Sequence, residues 1–475
     1  MSVDIVIANG QIVSPEGTEH VGIAIDQGVI VAISPEEYLP EADRTIDASG
    51  KYVIPGFVDN HCHIDGPFLT GVSTLEDCFE KETKSAVVGG VTTIGPMPIV
   101  PSILKSFERW HRTFNDYAVC DAVFHFYASS ERHLLELPKC PELGIVTIGE
   151  MGGYKGRQAA IGRENTDEGL ALEYVDDGRM FRFMEVISRW GPPARLMLHA
   201  ENIDIILDLI DRVIAEGRRD CAAWTAARPS FCESEKLQCY VELAKAAGCP
   251  IYIVHNTCRE ALGVIRRAKY EGVDIVAETC PQYLTFTKDS FPNYPPIANV
   301  NPPLREKEDN EALWQGIRDG TIDIVATDHA PWNKVQKGDY IMMAPMGVGN
   351  VFSTWMPAMI TYGVIPGKIT LEKMVEVCCY NPAKYMGILP QKGAIGVGTD
   401  ADIAIIDMEK KMMPRAEELY SNSDLNAYEV LGVELQGWPI LTMVRGNIVM
   451  EDGKAVSGKG VGKYIPVKLY NKSVS

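Results

Sequence analysis

The feature that most constrains the fold is a set of eight short apolar runs through the middle of the chain, separated by stretches of helical periodicity. The first is the run from Val53 to His63, and Thr92–Ile94, Ala122–Phe126 and Gly144–Ile148 follow it. Arg195–His199, Pro250–His255, Val273–Glu278 and Ile322–Asp328 complete the set. Strands that are apolar throughout, rather than alternating, belong to parallel sheets covered on both faces. Between Asn202 and Gly217, Ile203, Ile206, Leu207, Ile210, Val213 and Ile214 recur at three- and four-residue steps, and Gly217 supplies a stop. From Ser234 to Gly248, Leu237, Tyr240, Val241 and Leu243 form a second apolar stripe. Eight such strands alternating with helices predict an α/β fold, specifically a (β/α)8 TIM barrel.

The two ends have a different texture. Ile5–Ala8, Gln11–Val13, Ile23–Ile25 and Val29–Ile33 are short β-like segments broken at Asn9-Gly10, Glu16-Gly17 and Gln27-Gly28, which are turn dipeptides. Asp402–Asp407 and Thr442–Met450 repeat that texture near the C-terminus. The expected organisation is one small β-sandwich built from both termini, residues 1–54 and 386–475, around the barrel over residues 55–385.

Composition narrows the function classes. The 475 residues carry a formal charge of −19, which argues against a nucleic-acid or anionic membrane surface. Small-molecule substrates remain. The N-terminus lacks a basic region followed by a long apolar run, and no stretch approaches the ~20 apolar residues of a spanning helix. The 12 cysteines show no CxxC spacing and read as reduced thiols, so a cytoplasmic protein is expected.

Polar residues fall where the apolar runs end. His61 and His63 are two apart, and alternate residues of a strand point to one face, so both imidazoles address the same point. His199 ends the fifth run, His255 the sixth and Asp328 the eighth. Each alone is compatible with a satisfied core histidine or a helix cap. Parallel strands of a barrel end at one rim, so the five converge there. Four imidazoles and a carboxylate suit Zn2+ or a similar divalent ion.

These motifs are where a family resemblance appears. Pro55-Gly56-Phe57-Val58-Asp59-Asn60-His61-Cys62-His63, His199-Ala200-Glu201-Asn202, Glu278-Thr279-Cys280-Pro281-Gln282-Tyr283-Leu284, Asn301-Pro302-Pro303-Leu304-Arg305 and Ala326-Thr327-Asp328-His329-Ala330-Pro331 resemble the amidohydrolase superfamily. Within it, the chain looks like the cyclic amidases, the hydantoinase, dihydropyrimidinase and allantoinase group, over nearly its whole length. The resemblance implies one or two divalent ions, His61 and His63 on one and His199 and His255 on the other. Asp328 would bind the first and accept a proton from the attacking water. The implied reaction is opening of a cyclic amide or ureide ring by a metal-bound hydroxide. Tyr154 matches a tyrosine that donates to the carbonyl oxygen, and Asn301 a main-chain contact to the ring amide. The segment Met343–Asn350 matches a further substrate loop, with Ser353 where relatives carry a glutamate.

One position departs from the family. Relatives carry a carboxylated lysine at the end of the fourth strand, bridging the two metals, and here Gly149 aligns with it. Glu150 could supply a bridging carboxylate directly, although strand parity points it away unless the backbone bulges. Lys155 and the absence of any bridge are the other readings. The residues after His63 are Ile64 and Asp65 rather than the arginine of dihydroorotase-like enzymes. Two further classes stay open: a mononuclear deaminase or other amidase, with Glu260 as its acid, and a non-catalytic assembly protein of the same fold. By resemblance the chain is expected to form a homo-oligomer, a tetramer, with the tail from Gly460 reaching a neighbour.

Overall fold

In the computed structural model, which describes residues 2–64, 73–155 and 173–470, the run from Val53 to His63 divides at Gly56. A Cβ there would stand 2.1 Å from the Thr92 side chain, so only glycine lets the chain cross between two sheets at this point. Before the break, seven strands form: β1 (Val3–Ala8), β2 (Gln11–Ser14), β3 (Gly17–His20), β4 (Gly22–Asp26), β5 (Val29–Ser34), β6 (Ala42–Asp47) and β7 (Tyr52–Pro55). Asn9 and Gln27 take positive φ at the turn dipeptides read from the sequence.

After the break come eight parallel strands in two sheets. One contains β8 (Phe57–Cys62), β9 (Val91–Pro96) and β10 (Asp121–Ala122). The other runs in order through β11 (Thr147–Met151), β12 (Arg195–Leu198), β13 (Ile251–Ile253), β14 (Ile275–Thr279) and β15 (Ile324–Val325). Parallel bridges join the sheets at both seams, Phe126 to Ile148 and Cys62 to His329. All eight apolar runs therefore form parallel strands, several of them shorter than the runs themselves.

The helices follow the periodicity. Asn202 caps Ile203–Ala215 by accepting from the Ile205 N–H at 3.3 Å, and Ile203, Ile206, Ile210 and Val213 are its buried face. The next long helix, Ser230–Ala247, starts four residues before the apolar stripe suggests, directly after Pro229. It ends at Gly248, whose φ of 64° is the left-handed C-terminal stop.

The chain then returns to its start. Strands β16 (Ile403–Met412), β17 (Leu435–Val444), β18 (Asn447–Glu451) and β19 (Lys454–Ala455) extend the sheet of β7, β2 and β3 into seven strands, with β7 antiparallel to β16. The β1, β4, β5 and β6 sheet packs on it: Ile5, Ile7, Ile23, Ile25 and Ile30 share a buried cluster with Val53, Ile403, Ile405 and Met443. Burying each such side chain contributes about 1.5–3 kcal/mol, so the two termini hold one another in place.

Two details tie this layer to the parallel strands. Lys392 lies buried among Asp121, Asp400 and Asp402 at 2.5, 2.8 and 2.7 Å, so this acidic trio already has its cation. The segment 460–470 lies along its own chain: Ile465 donates to the Ala122 carbonyl, Val467 to Gly144 and Tyr470 to Pro192, and the Tyr464 ring stacks on Phe124 at 4.7 Å. None of the twelve cysteines forms a disulfide, and no helix of the described residues is long and apolar enough to cross a membrane.

Candidate active site

His61 stands at the end of β8, and its Nε2 lies 3.2 Å from His63 Nε2. Asp328, just beyond β15, places Oδ1 3.4 Å from the first of these nitrogens and 3.2 Å from the second. On the other side, His199 follows β12 and His255 follows β13, with Nδ1 of the former 3.1 Å from Nε2 of the latter. The structure brings together the two imidazole pairs and the carboxylate that the sequence singled out.

Between the pairs sits Glu150. Its Oε1 lies 2.8 Å from His199 Nδ1 and 2.6 Å from His255 Nε2, while its Oε2 lies 3.7 Å from His61 Nε2 and 3.6 Å from His63 Nε2. Strand parity points this side chain away, but the register between β11 and β12 shifts between Ile148 and Met151. Position 149 itself is tightly confined. A Cβ at 149 would stand 2.3 Å from Met197 Cβ and 2.8 Å from the Met197 carbonyl oxygen, so this close approach of β11 to β12 leaves no room for a side chain. Lys155 is turned outward, paired with Asp204 at 2.5 Å and set over the Tyr174 ring, and does not reach the cluster.

The backbone is strained at the same place. His255 and Asp328 hold φ values of 36° and 50°, a region that residues with a side chain rarely adopt and that persists where surrounding bonds impose it. Here the His255 N–H donates to Glu278 Oε1 at 3.0 Å and the Asp328 N–H to the His61 carbonyl at 2.9 Å. Asp59 accepts from the Thr327 N–H at 2.9 Å and its hydroxyl at 2.5 Å, which fixes the residue before Asp328. Burial pushes the Asp59 carboxyl up to about 7.

Outer partners fix the rings. His61 Nδ1 lies 2.9 Å from Glu278 Oε1, and the Tyr252 hydroxyl donates to Oε2 of the same carboxylate at 2.6 Å. His199 Nε2 lies 2.8 Å from Glu201 Oε2, which also pairs with Arg228. A proton on each outward nitrogen leaves the inward one with its lone pair toward the centre, the orientation a metal ligand needs. Glu278 and Glu201 had no role in the sequence reading. The signal for the former was available, because it ends an apolar run just as His199 and His255 do.

Charge follows geometry. Burial works against a charged imidazole at His61, but Glu278, Asp328 and Glu150 outweigh it and hold the group well above the ordinary histidine value. His199 is raised to about 9, burial again being outweighed by hydrogen bonds to Glu150 and Glu201. Glu150 lies well below the carboxylate range, its burial offset by His255 and by its other histidine neighbours. Anionic oxygens crowded against imidazoles in a buried cluster call for a cation. One ligand atom from each of His61, His63 and Glu150 lies within 4.8 Å of the other two, and the same holds for Glu150, His199 and His255, so the donor set fits two divalent ions.

The open side carries the remaining candidates. His63 and Asp328 keep 15% and 11% of their side chains accessible, against 3% or less for the other four residues, so among the described residues these two form the open side of the cluster. The Tyr154 ring stands 5.9 Å from that of His199, and burial, then the Glu150 and Asp328 charges, raise its phenol well above the ordinary value. It is an un-ionised donor. Asn301 is buried, and its Nδ2 meets Met346 Sδ. Gly347 N–H also donates to the Asn299 carbonyl at 2.9 Å, so the two segments expected to face substrate touch one another. Ser353 does not reach the site. Its hydroxyl donates to the Ser85 carbonyl at 2.9 Å, in the packing against the Leu75–Val88 helix. Glu260 is exposed at the start of the Arg259–Tyr270 helix, which removes the acid that a deaminase reading needs. Asp65 lies outside the described residues.

An α/β protein whose parallel strands end in four imidazoles and two shared carboxylates, with an un-ionised phenol beside them, has the parts of a metal-assisted hydrolase. Comparison with known proteins agrees. Residues 228–449 and 44–90 match amidohydrolase family descriptions. The chain is 34% identical to an L-hydantoinase of Paenarthrobacter aurescens, over 99% of each chain, and 32% identical to a D-hydantoinase of Streptomyces coelicolor, over 98% of each. The crystal structure of a dihydropyrimidinase from Brevibacillus agri superposes with a TM-score of 0.88 at 30% identity, covering 98% of this chain and 99% of that one. The chain belongs to the amidohydrolase family. It is a cyclic amidohydrolase, a metal-dependent enzyme that cleaves the carbon–nitrogen bond of a cyclic amide.

Proposed function

We propose that this enzyme opens hydantoin- or dihydropyrimidine-type rings with two zinc ions per subunit. His61, His63 and Asp328 would hold the first ion, His199 and His255 the second, and Glu150 would supply a carboxylate oxygen to each. The observation that carries the reading is the division of the Glu150 oxygens, Oε1 to one histidine pair and Oε2 to the other. The eight parallel strands, bridged at both seams, support a (β/α)8 barrel over residues 55–385. The two sheets with a shared core support a β-sandwich from residues 1–54 and 386–475. A homo-oligomer is part of the proposal by likeness to the hydantoinases.

When bound, the cations acidify the attacking water and polarise the scissile carbonyl. The protein does the rest. Asp328, on the open side, takes a proton from water as its oxygen attacks the carbonyl carbon. Tyr154 donates a hydrogen bond to the oxygen on which negative charge develops. As the carbon–nitrogen bond breaks, Asp328 returns the proton to the departing ring nitrogen, leaving a carboxylate and an open-chain amide or ureide. The Asn301 backbone, held by the Asn299 and Met346 contacts, orients the ring amide. Ile64, buried after His63, offers no cation for a substrate carboxylate, which favours hydantoins and dihydropyrimidines over dihydroorotate.

The test is metal content per subunit in protein purified without chelator, together with a hydrolysis screen of hydantoins, dihydropyrimidines, allantoin and cyclic imides. Two zinc ions and ring opening support the proposal. One ion, or activity confined to linear amides, overturns it.

A further inference from the structure

The two histidine pairs are backed by different structures. Behind His61 stands Glu278, which meets the His61 ring, the Tyr252 hydroxyl and the His255 N–H. Among the described residues this carboxylate pairs with no lysine or arginine.

Behind His199 the partners are ionic and extend outward. Glu201 accepts from His199 and pairs with Arg228, whose guanidinium also lies over the Trp224 ring at 4.9 Å. The Arg228 carbonyl accepts from Arg305. Arg305 pairs with Glu233 at 3.0 Å and donates to the Thr257 hydroxyl at 3.0 Å. Glu233 closes the chain by accepting from the Thr257 N–H at 2.8 Å. The side chains of Glu201, Arg228, Glu233 and Arg305 are at most 4% exposed. Thr257 lies two residues beyond His255, and Arg305 four beyond Asn301.

Stability alone does not account for such a chain. Buried ion pairs give up most of their attraction to desolvation, and apolar residues of similar volume often serve the fold as well or better. What this chain does that apolar packing would not is fix the Glu201 carboxylate on one nitrogen of His199, while anchoring the segment after His255. Both ends of it grip the same half of the site.

We infer that Glu201, Arg228, Arg305 and Glu233 form a positioning chain that sets the metal affinity of the His199 and His255 subsite independently of the His61 and His63 subsite. The inference rests on the two-metal reading above. The four are positioning residues. They act through the two rings, and partners of this kind typically change metal affinity by about 10–100-fold.

The experiment is a zinc titration of chelator-stripped, full-length protein, followed by competition with a chromophoric chelator, for wild type, E201Q and the E201Q/R228M double variant. The double variant removes both charges together, so a folded protein remains even where the single change strands Arg228 without its partner. Thermal unfolding verifies this. The expected result is two equivalents in wild type, with one equivalent bound as before in the variants and the other weakened about 10–100-fold. Two equivalents in wild type with unchanged affinities in the folded double variant, or with both weakened alike, overturns this inference alone. A single equivalent in wild type overturns the two-metal reading and takes this inference with it.

Discussion

The Oε1 oxygen of Glu150 lies 2.6 Å from His255 Nε2. A carboxylate belonging to the chain itself stands at the centre of the cluster. Two consequences follow for metal loading. Glu150→Gln should lower zinc content below that of wild type and depress kcat, because a neutral amide is a poor ligand at a doubly charged centre. Reloading of the stripped wild type should proceed equally with and without added bicarbonate, since no lysine has to be carboxylated. Metal analysis after reloading in bicarbonate-free buffer checks both, and a bicarbonate requirement would point to a lysine that the geometry does not show.

Amidation of Asp328 changes its side-chain volume very little. Asp328→Asn should therefore leave the thermal unfolding temperature near that of wild type while lowering kcat by roughly 10²–10⁴-fold, the range for loss of a general acid–base. Steady-state kinetics on a ring substrate decide this, and near-normal turnover would remove Asp328 from the mechanism.

Tyr154→Phe removes one hydrogen-bond donor and nothing else. If the phenol stabilises the developing oxyanion, kcat falls by about 10²–10³-fold with little change in zinc content. A rise in KM alone, at constant kcat, would assign the hydroxyl to substrate binding.

His199 gives a pH dependence with a definite sign. Its imidazole is held up to about 9 by Glu150 and Glu201, against an ordinary value of 6.5. A raised histidine stabilises the metal-free protein fully below pH 6.5, and that contribution is lost as pH rises through about 9. Stripped protein should thus unfold at lower temperature at pH 9.5 than at pH 6. Zinc uptake should strengthen over the same window, because the competing proton leaves. Thermal scans of stripped and loaded protein across pH 6–9.5 read both trends, and a stripped protein that gains stability over that range would contradict the first.

Lys392 supplies a control remote from the chemistry. It is buried against Asp121, Asp400 and Asp402, where the C-terminal segment returns to the parallel strands. Lys392→Met leaves three buried carboxylates without that cation, and the loss of one partner from a buried ion pair costs about 3–5 kcal/mol. Denaturant unfolding should show this loss, with zinc stoichiometry unchanged in whatever fraction remains folded.

The sequence by itself determined the alternation of strand and helix and the histidines of the site. An apolar run is legible because both faces of a parallel strand are covered, and residues at its end are legible because their placement depends only on where the run stops. His61 and His63 needed nothing beyond the two-residue period of a strand. The sheet formed by both termini was equally visible, in turn dipeptides such as Asn9-Gly10 and Gln27-Gly28. Only the tertiary structure shows Glu150 between the two histidine pairs and Lys155 turned outward to Asp204. The direction of Glu150 depends on a register shift against β12 and on the closeness of Gly149 to Met197, a residue 48 positions away. The same holds for Glu201, Arg228, Arg305 and Glu233, which no local period links. Their meeting is a property of how distant segments pack, and local pattern carries no record of it.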